Sequence, residues 1–96
     1  MKPSIAFQAH RNEIRRIVET NRASNARIFG SVAAGEDSED SDIDLLVDPT
    51  PETTLFDIGA IRNELRSLLG VPVDVLTPNA LPAKIRSAVL AKALPV

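Results

Sequence analysis

The sequence predicts an α/β fold, a two-layer sandwich of helices on a small mixed sheet. Two patterns predict it. Stretches with apolar residues at helical spacing alternate along the chain with short Val- and Ile-rich runs of strand character. The link between the second and third of these runs is a full helix, as a parallel crossover needs, whereas the link between the first two is short and allows several arrangements. The expected sheet is therefore mixed. With 96 residues, the whole chain, 1–96, is expected to form one small domain, burying about 60–65% of its unfolded surface.

Met1 to Asn21 reads as one helix. Pro3 suits its first turn, and Phe7, Ile14, Ile17 and Val18 fall on one stripe. Arg11, Arg15, Arg16 and Glu19 lie off that stripe, as a solvated face would. His10 reads as a surface or helix-boundary residue. Arg22 to Asn25 is a polar turn, and Ala26 to Phe29 a first strand. Gly30-Ser31 opens a small-residue segment that can make a helical turn or two. An acidic loop leads to a second strand, Asp42 to Val47, closed by Asp48-Pro49-Thr50-Pro51.

Thr53 or Thr54 can cap a helix running to Leu69, with Leu55, Ile58, Ile61, Leu65, Leu68 and Leu69 as its buried stripe and Gly70 as its stop. Val71 to Leu76 is a third strand. A last helix starts near Asn79 with Ile85, Ala88, Val89 and Ala93 on its apolar side, and Leu94-Pro95-Val96 reads as a frayed end. Lys84 and Arg86 read as ordinary surface charges, although either could reach a bound triphosphate from this helix.

The candidate site lies in Phe29 to Val47. Strand residues two apart share a face, so Asp42 and Asp44 project together while Ile43 points into the core. Two carboxylates side by side repel each other unless a cation lies between them or one is protonated. Hard divalent cations such as Mg²⁺ take oxygen ligands of this kind and commonly bring a substrate phosphate. Upstream, the Gly30-Ser31 turn offers backbone N–H groups and a hydroxyl to an anion. An acid inside a Val-rich strand is costly to bury alone. Asp74 therefore either sits on an edge strand in solvent or joins Asp42 and Asp44 as a third carboxylate, and the second placement is expected.

Charge supports a metal site more than a nucleic-acid surface. Seven acids and no base fall between Glu36 and Asp48, leaving six acids against 11 Lys and Arg elsewhere. Three Phe and no Trp or Tyr make base-stacking platforms scarce, so direct nucleic-acid binding is not expected. An EF-hand Ca²⁺ loop would need alternating oxygen ligands and a terminal Glu that this acidic stretch lacks. The chain has no cysteine, which fits a reducing cytoplasm. Its first residues lack the apolar core of a signal peptide, and no apolar run approaches the roughly 20 residues of a membrane span.

Gly30-Ser31, ten residues, then Asp42-Ile43-Asp44 resembles the signature of the DNA polymerase β-like nucleotidyltransferase superfamily. The wider pattern is matched by Ala33, Gly35, Ser41 and Leu45. The short chain is similar to the minimal nucleotidyltransferase (MNT) branch, the MntA-type antitoxins of type VII toxin–antitoxin systems that pair with HEPN toxins. The family often has Arg where this chain has Ala34. The resemblance implies a palm-like fold, with Asp42, Asp44 and Asp74 holding two Mg²⁺ ions and Gly30 and Ser31 binding the phosphates of ATP. It also implies transfer of AMP to a tyrosine of the HEPN partner. This chain has no tyrosine, so a tyrosyl acceptor would lie in another protein. The alternative is a catalytically weak MNT-fold module that neutralises a toxin by contact alone. A small-molecule nucleotidyltransferase would be expected to need a further domain to hold its substrate.

Overall fold

The computed structural model describes residues 1–96. The elements run α1 (Pro3–Ala9), α2 (Arg11–Thr20), β1 (Ala23–Phe29), α3 (Gly30–Ala34), β2 (Ile43–Pro49), α4 (Leu55–Leu69), β3 (Val73–Leu76), a 3₁₀ turn (Pro78–Ala80), α5 (Ala83–Lys92) and β4 (Leu94–Pro95). The strands form one sheet in the order β3-β2-β1-β4. β2 pairs antiparallel with β1 and parallel with β3, so the sheet is mixed as expected, and β4 adds to the far side of β1.

Alternation along β2 explains the core. Ile43, Leu45 and Val47 are buried on one face, where they meet Ile28 of β1 and Val73 and Val75 of β3. Phe7, Ile14 and Val18 come down on them from α1 and α2, and Ile61, Leu65 and Leu69 from α4. The other face of β2 carries Asp44 and Leu46. It is not open throughout, because the 3₁₀ turn lies against β2 and Leu46 is fully buried. Arg86 holds the covering turn, donating from Nε to Pro78 O (2.9 Å) and from Nη2 to Leu81 O (2.8 Å). Its guanidinium is thus committed to the backbone, neither an ordinary surface charge nor free to reach a triphosphate.

Four local expectations give way to tertiary contacts. The N-terminal helix is two, broken at His10, whose φ of −128° is not helical. The break leaves both Phe7 and Ile14 facing the core, and His10 Nδ1 and Glu13 Oε2 are 2.6 Å apart across it. The polar turn Arg22 to Asn25 is mostly strand, interrupted by a register shift between Ser24 and Arg27. Asn25 sits there at φ 51°, a conformation Asn tolerates. Leu55 belongs to no buried stripe; it and Phe56 are exposed, and Asp57 occupies the buried position instead.

The chain end is the fourth case. Leu94–Pro95 pairs with β1 rather than fraying, and Val96 is buried with its N–H donating to Ala26 O (3.0 Å). Arg15 Nη1 donates to Val96 O (2.8 Å) and Arg11 Nη2 to Pro95 O (3.1 Å). These arginines clamp β4 rather than form a purely solvated face. Helix α5 starts at Ala83, after the 3₁₀ turn, and buries none of its residues.

Candidate active site

β2 and β3 run parallel in a register that pairs Asp44 with Asp74. Neighbouring strands lie about 4.8 Å apart, and residues paired across them point to the same face. Both expected placements of Asp74 therefore hold at once. β3 is an edge strand and Asp74 is exposed, yet it sits next to Asp44. On the other flank Phe29 pairs with Asp44. Asp42 lies one residue outside the strand, which begins at Ile43, and is exposed. The N–H of Ile43 donates to Pro72 O (2.9 Å) and fixes this junction against the start of β3.

The electrostatics agree with the register. Asp44 is half-buried, and its carboxyl is raised above the ordinary carboxylate range by burial first, then by the charges of Asp74 and Asp42. Asp44 is thus within electrostatic reach of both other acids. No three Asp, Glu or His side chains converge closely enough to form a complete metal cage. This donor set fits a hard cation of the Mg²⁺ kind, which binds through one or two carboxylates plus water and substrate phosphate oxygens.

Gly30 is the turn between β1 and α3. Its φ of +74° is the left-handed conformation that glycine adopts without strain. A Cβ there would overlap Asp44 Oδ2 and lie 3.3 Å from Asp44 Cγ. The turn and the central carboxylate are therefore packed together, so a side chain at Gly30 would both strain the backbone and push the Asp44 carboxylate aside. Ser31 follows, half-buried, at the start of α3. Its carbonyl accepts from the N–H of Glu36 (2.9 Å), which folds the acidic loop back on the helix.

That loop is tethered more firmly than its composition suggests. Ser4 N donates to Asp37 Oδ2 (2.9 Å), and this bond holds the Asp37 carboxyl below the usual range. Ser38 and Ser41 close a tight turn just before Asp42, with Ser38 N donating to Ser41 Oγ (2.9 Å).

Composition did not disclose a groove that opens beside Gly30, with a volume of about 580 Å³. Phe29, Ala33 and Ala34 form one wall; Ala88, Val89 and Lys92 of α5 form the other. A signal for it existed in Ala33-Ala34 of α3 and in Ala88 and Ala91 of α5, which leave space between the helices. Ala34 is exposed on this wall.

A mixed sheet with paired acids on neighbouring strands, next to a Gly-Ser turn, defines the class of palm-like nucleotidyl-transferring enzymes. The nucleotidyltransferase domain family matches residues 11–95, and the chain belongs to that family. A Thermococcus cleftensis relative, protein adenylyltransferase MntA, is 35% identical over 82 residues, covering 85% of this chain and 80% of its own. A Methanocaldococcus jannaschii protein provisionally named a protein adenylyltransferase is 38% identical over 89 residues, covering 88% and 96%. A solved structure described as a minimal nucleotidyltransferase superposes with a TM-score of 0.87 at 38% identity, over 97% of this chain and 95% of that one. The fold is also shared with a toxin–antitoxin crystal structure containing AMP-PNP, at a TM-score of 0.74 and 21% identity, over 88% and 69%. No helix here is long and apolar enough to cross a membrane.

Proposed function

We propose that this chain is a Mg²⁺-dependent protein adenylyltransferase that moves AMP from ATP onto a hydroxyl of a cognate HEPN toxin, and so acts as its antitoxin. The observation that carries the reading is the Asp44–Asp74 register beside Gly30, with Asp42 at the strand entry. The names of the relatives at 35–38% identity support protein as the acceptor class, and the MntA name that one of them carries recurs in a toxin–antitoxin structure of the same fold, which supports a toxin as the partner.

In this reading Gly30 and Ser31 bind the phosphates through backbone N–H groups and the serine hydroxyl. Asp42, Asp44 and Asp74 would hold up to two Mg²⁺ ions, which would supply charge neutralisation of the phosphates and stabilisation of the attacking and leaving oxygens. Asp74, exposed on the edge strand, would help take the proton of the acceptor hydroxyl. The hydroxyl oxygen then attacks the α-phosphorus, the bond to the β-phosphate oxygen breaks, and pyrophosphate leaves. The product is an AMP phosphodiester on the partner. The chain's lack of tyrosine means that a tyrosyl acceptor belongs to the partner.

The test is intact-mass spectrometry after incubation with Mg²⁺ and ATP, with and without the product of the neighbouring gene. A gain on the partner in AMP-sized steps, lost in Asp42→Asn and Asp44→Asn, is the expected outcome. A stable complex with no mass gain on either protein would replace this reading with a toxin-binding module.

A further inference from the structure

We infer that the groove between α3 and α5 seats the nucleoside of the incoming nucleotide and does so without reading the hydrogen-bonding edge of its base. The inference rests on the reading of Gly30 and Ser31 as phosphate contacts and extends it to specificity. Gly30 lines the groove and also abuts Asp44, so a ligand anchored at that turn continues directly into the groove. The volume of about 580 Å³ falls in the range of small-molecule sites.

The lining chemistry decides the occupant. Seven of the nine lining residues are apolar, and Lys92 is the one side chain among them able to hydrogen-bond. The Phe29 ring and the alanine walls suit the flat faces of a base and the carbon frame of a sugar. Lys92 gives the groove one positive charge, complementary to a phosphate-bearing ligand. The acceptor side chain fits this groove poorly. Its hydroxyl must lose a proton, and no carboxylate lines the groove; the acids lie on the other side of Gly30, toward the β3 edge. Nucleoside and acceptor thus approach from opposite sides of the turn.

A site that hydrogen-bonds a base edge rejects analogues strongly, whereas an apolar one rejects them weakly. Isothermal titration of the intact chain with Mg²⁺ and ATP, GTP, CTP, UTP or inorganic tripolyphosphate tests this. ATP and GTP should bind within about tenfold of each other. Ala88→Phe and Ala34→Phe, which fill the groove from opposite walls, should each weaken ATP by about tenfold or more and leave tripolyphosphate unchanged. α5 buries no residue and Ala34 is exposed, so both variants should fold, as thermal melts would check. ATP preferred over GTP by more than about 100-fold, or wild-type ATP affinity in both filled variants, overturns the inference while tripolyphosphate binding persists. If the wild type binds neither tripolyphosphate nor ATP, the phosphate reading falls and the inference with it.

Discussion

The two ends of β2 carry the same residue type in opposite circumstances. At the entry, Asp42 and Asp44 meet Asp74 across the sheet with no cation beside them, and Asp44 is held protonated more readily than an ordinary carboxylate. At the exit and just past it, Asp48 and Asp57 each have a partner. Arg27 pairs with Asp48, which also accepts from Asn25 Nδ2 (2.9 Å). Asp57 accepts from Arg22 Nη1 (2.8 Å) and from the N–H of Thr54 (2.9 Å), and lies below the ordinary range, chiefly through that backbone bond. Carboxylates that the chain itself satisfies hold structure together. Carboxylates left to repel one another are the ones the proposed function assigns to a cation.

Removing the central acid should separate the two ends most sharply. Asp44→Asn should reduce AMP transfer by on the order of 10³-fold or more, measured by partner mass gain. Stability should move the other way. A raised native pKa means that the native state holds its proton more tightly than the unfolded chain, so stability falls as pH rises from about 4 through the native value. The variant escapes this penalty. Without metal at pH 7 its melting temperature should equal or exceed the wild type's. Mg²⁺ should raise the wild-type melting temperature and leave that of the variant nearly unchanged.

Gly30→Ala comes next in size. The new Cβ would displace the Asp44 carboxylate or shift the turn, and its φ of +74° is strained for alanine. A misplacement of about 1 Å at a reacting centre can cost about 10²-fold, so transfer should fall by about that factor. The melting temperature should fall as well, by the cost of about 1 kcal/mol or more for a non-glycine residue in this conformation. This variant breaks the site through geometry with every charge retained, which distinguishes position from charge at the entry end.

The entry end was also the more legible in sequence. Gly30-Ser31, Asp42 and Asp44 announce themselves because close backbone approach and clustered charge each demand particular residue types at fixed spacing. Asp74 was readable from one polar residue interrupting a Val-rich run, and Thr54 and Gly70 from local capping chemistry, with Gly70 at φ 68° as the helix stop. What sequence did not disclose depends on contacts far along the chain. The break at His10 lies inside an apolar stripe that a single helix would satisfy equally well. β4 is two residues long and is a strand only because β1, Arg11 and Arg15 hold it. Leu55 fits the stripe by spacing, but the Thr54–Asp57 capping box sets the entry of α4 so that Leu55 and Phe56 stay outside. The groove is space between two helices, and space leaves no mark in sequence beyond its alanines.

At the exit end the capping box gives the next effect. Thr54→Ala should cost about 1 kcal/mol and lower the melting temperature by about 4–8 °C, with transfer retained. Asp57→Asn should show the opposite pH sign to Asp44→Asn. A lowered native pKa gives stability that is present above the unfolded value, near pH 4, and is lost as pH falls through the native one. The difference between wild type and Asp57→Asn should therefore be full at pH 7 and shrink below about pH 4. A difference that stayed constant with pH would assign Asp57 a steric rather than an electrostatic role.

The smallest effect belongs to Arg27 and Asp48. Their side chains are 16% and 40% exposed, and pairs reached by solvent contribute about 1 kcal/mol or less. Asp48→Asn keeps the shape, leaves Arg27 with a neutral partner, and should shift the melting temperature by no more than a few degrees, less as salt is raised. Transfer should not change, although Asp48 lies on the same strand as Asp44, four residues on. This is the finest cut at the comparison, since it removes one negative charge from β2 as Asp44→Asn does. If Asp48→Asn also lowered transfer by about 10-fold, the whole strand's charge rather than the clustered entry acids would govern the reaction. If it does not, the function of the acids resides in their mutual placement at the entry, beside Gly30.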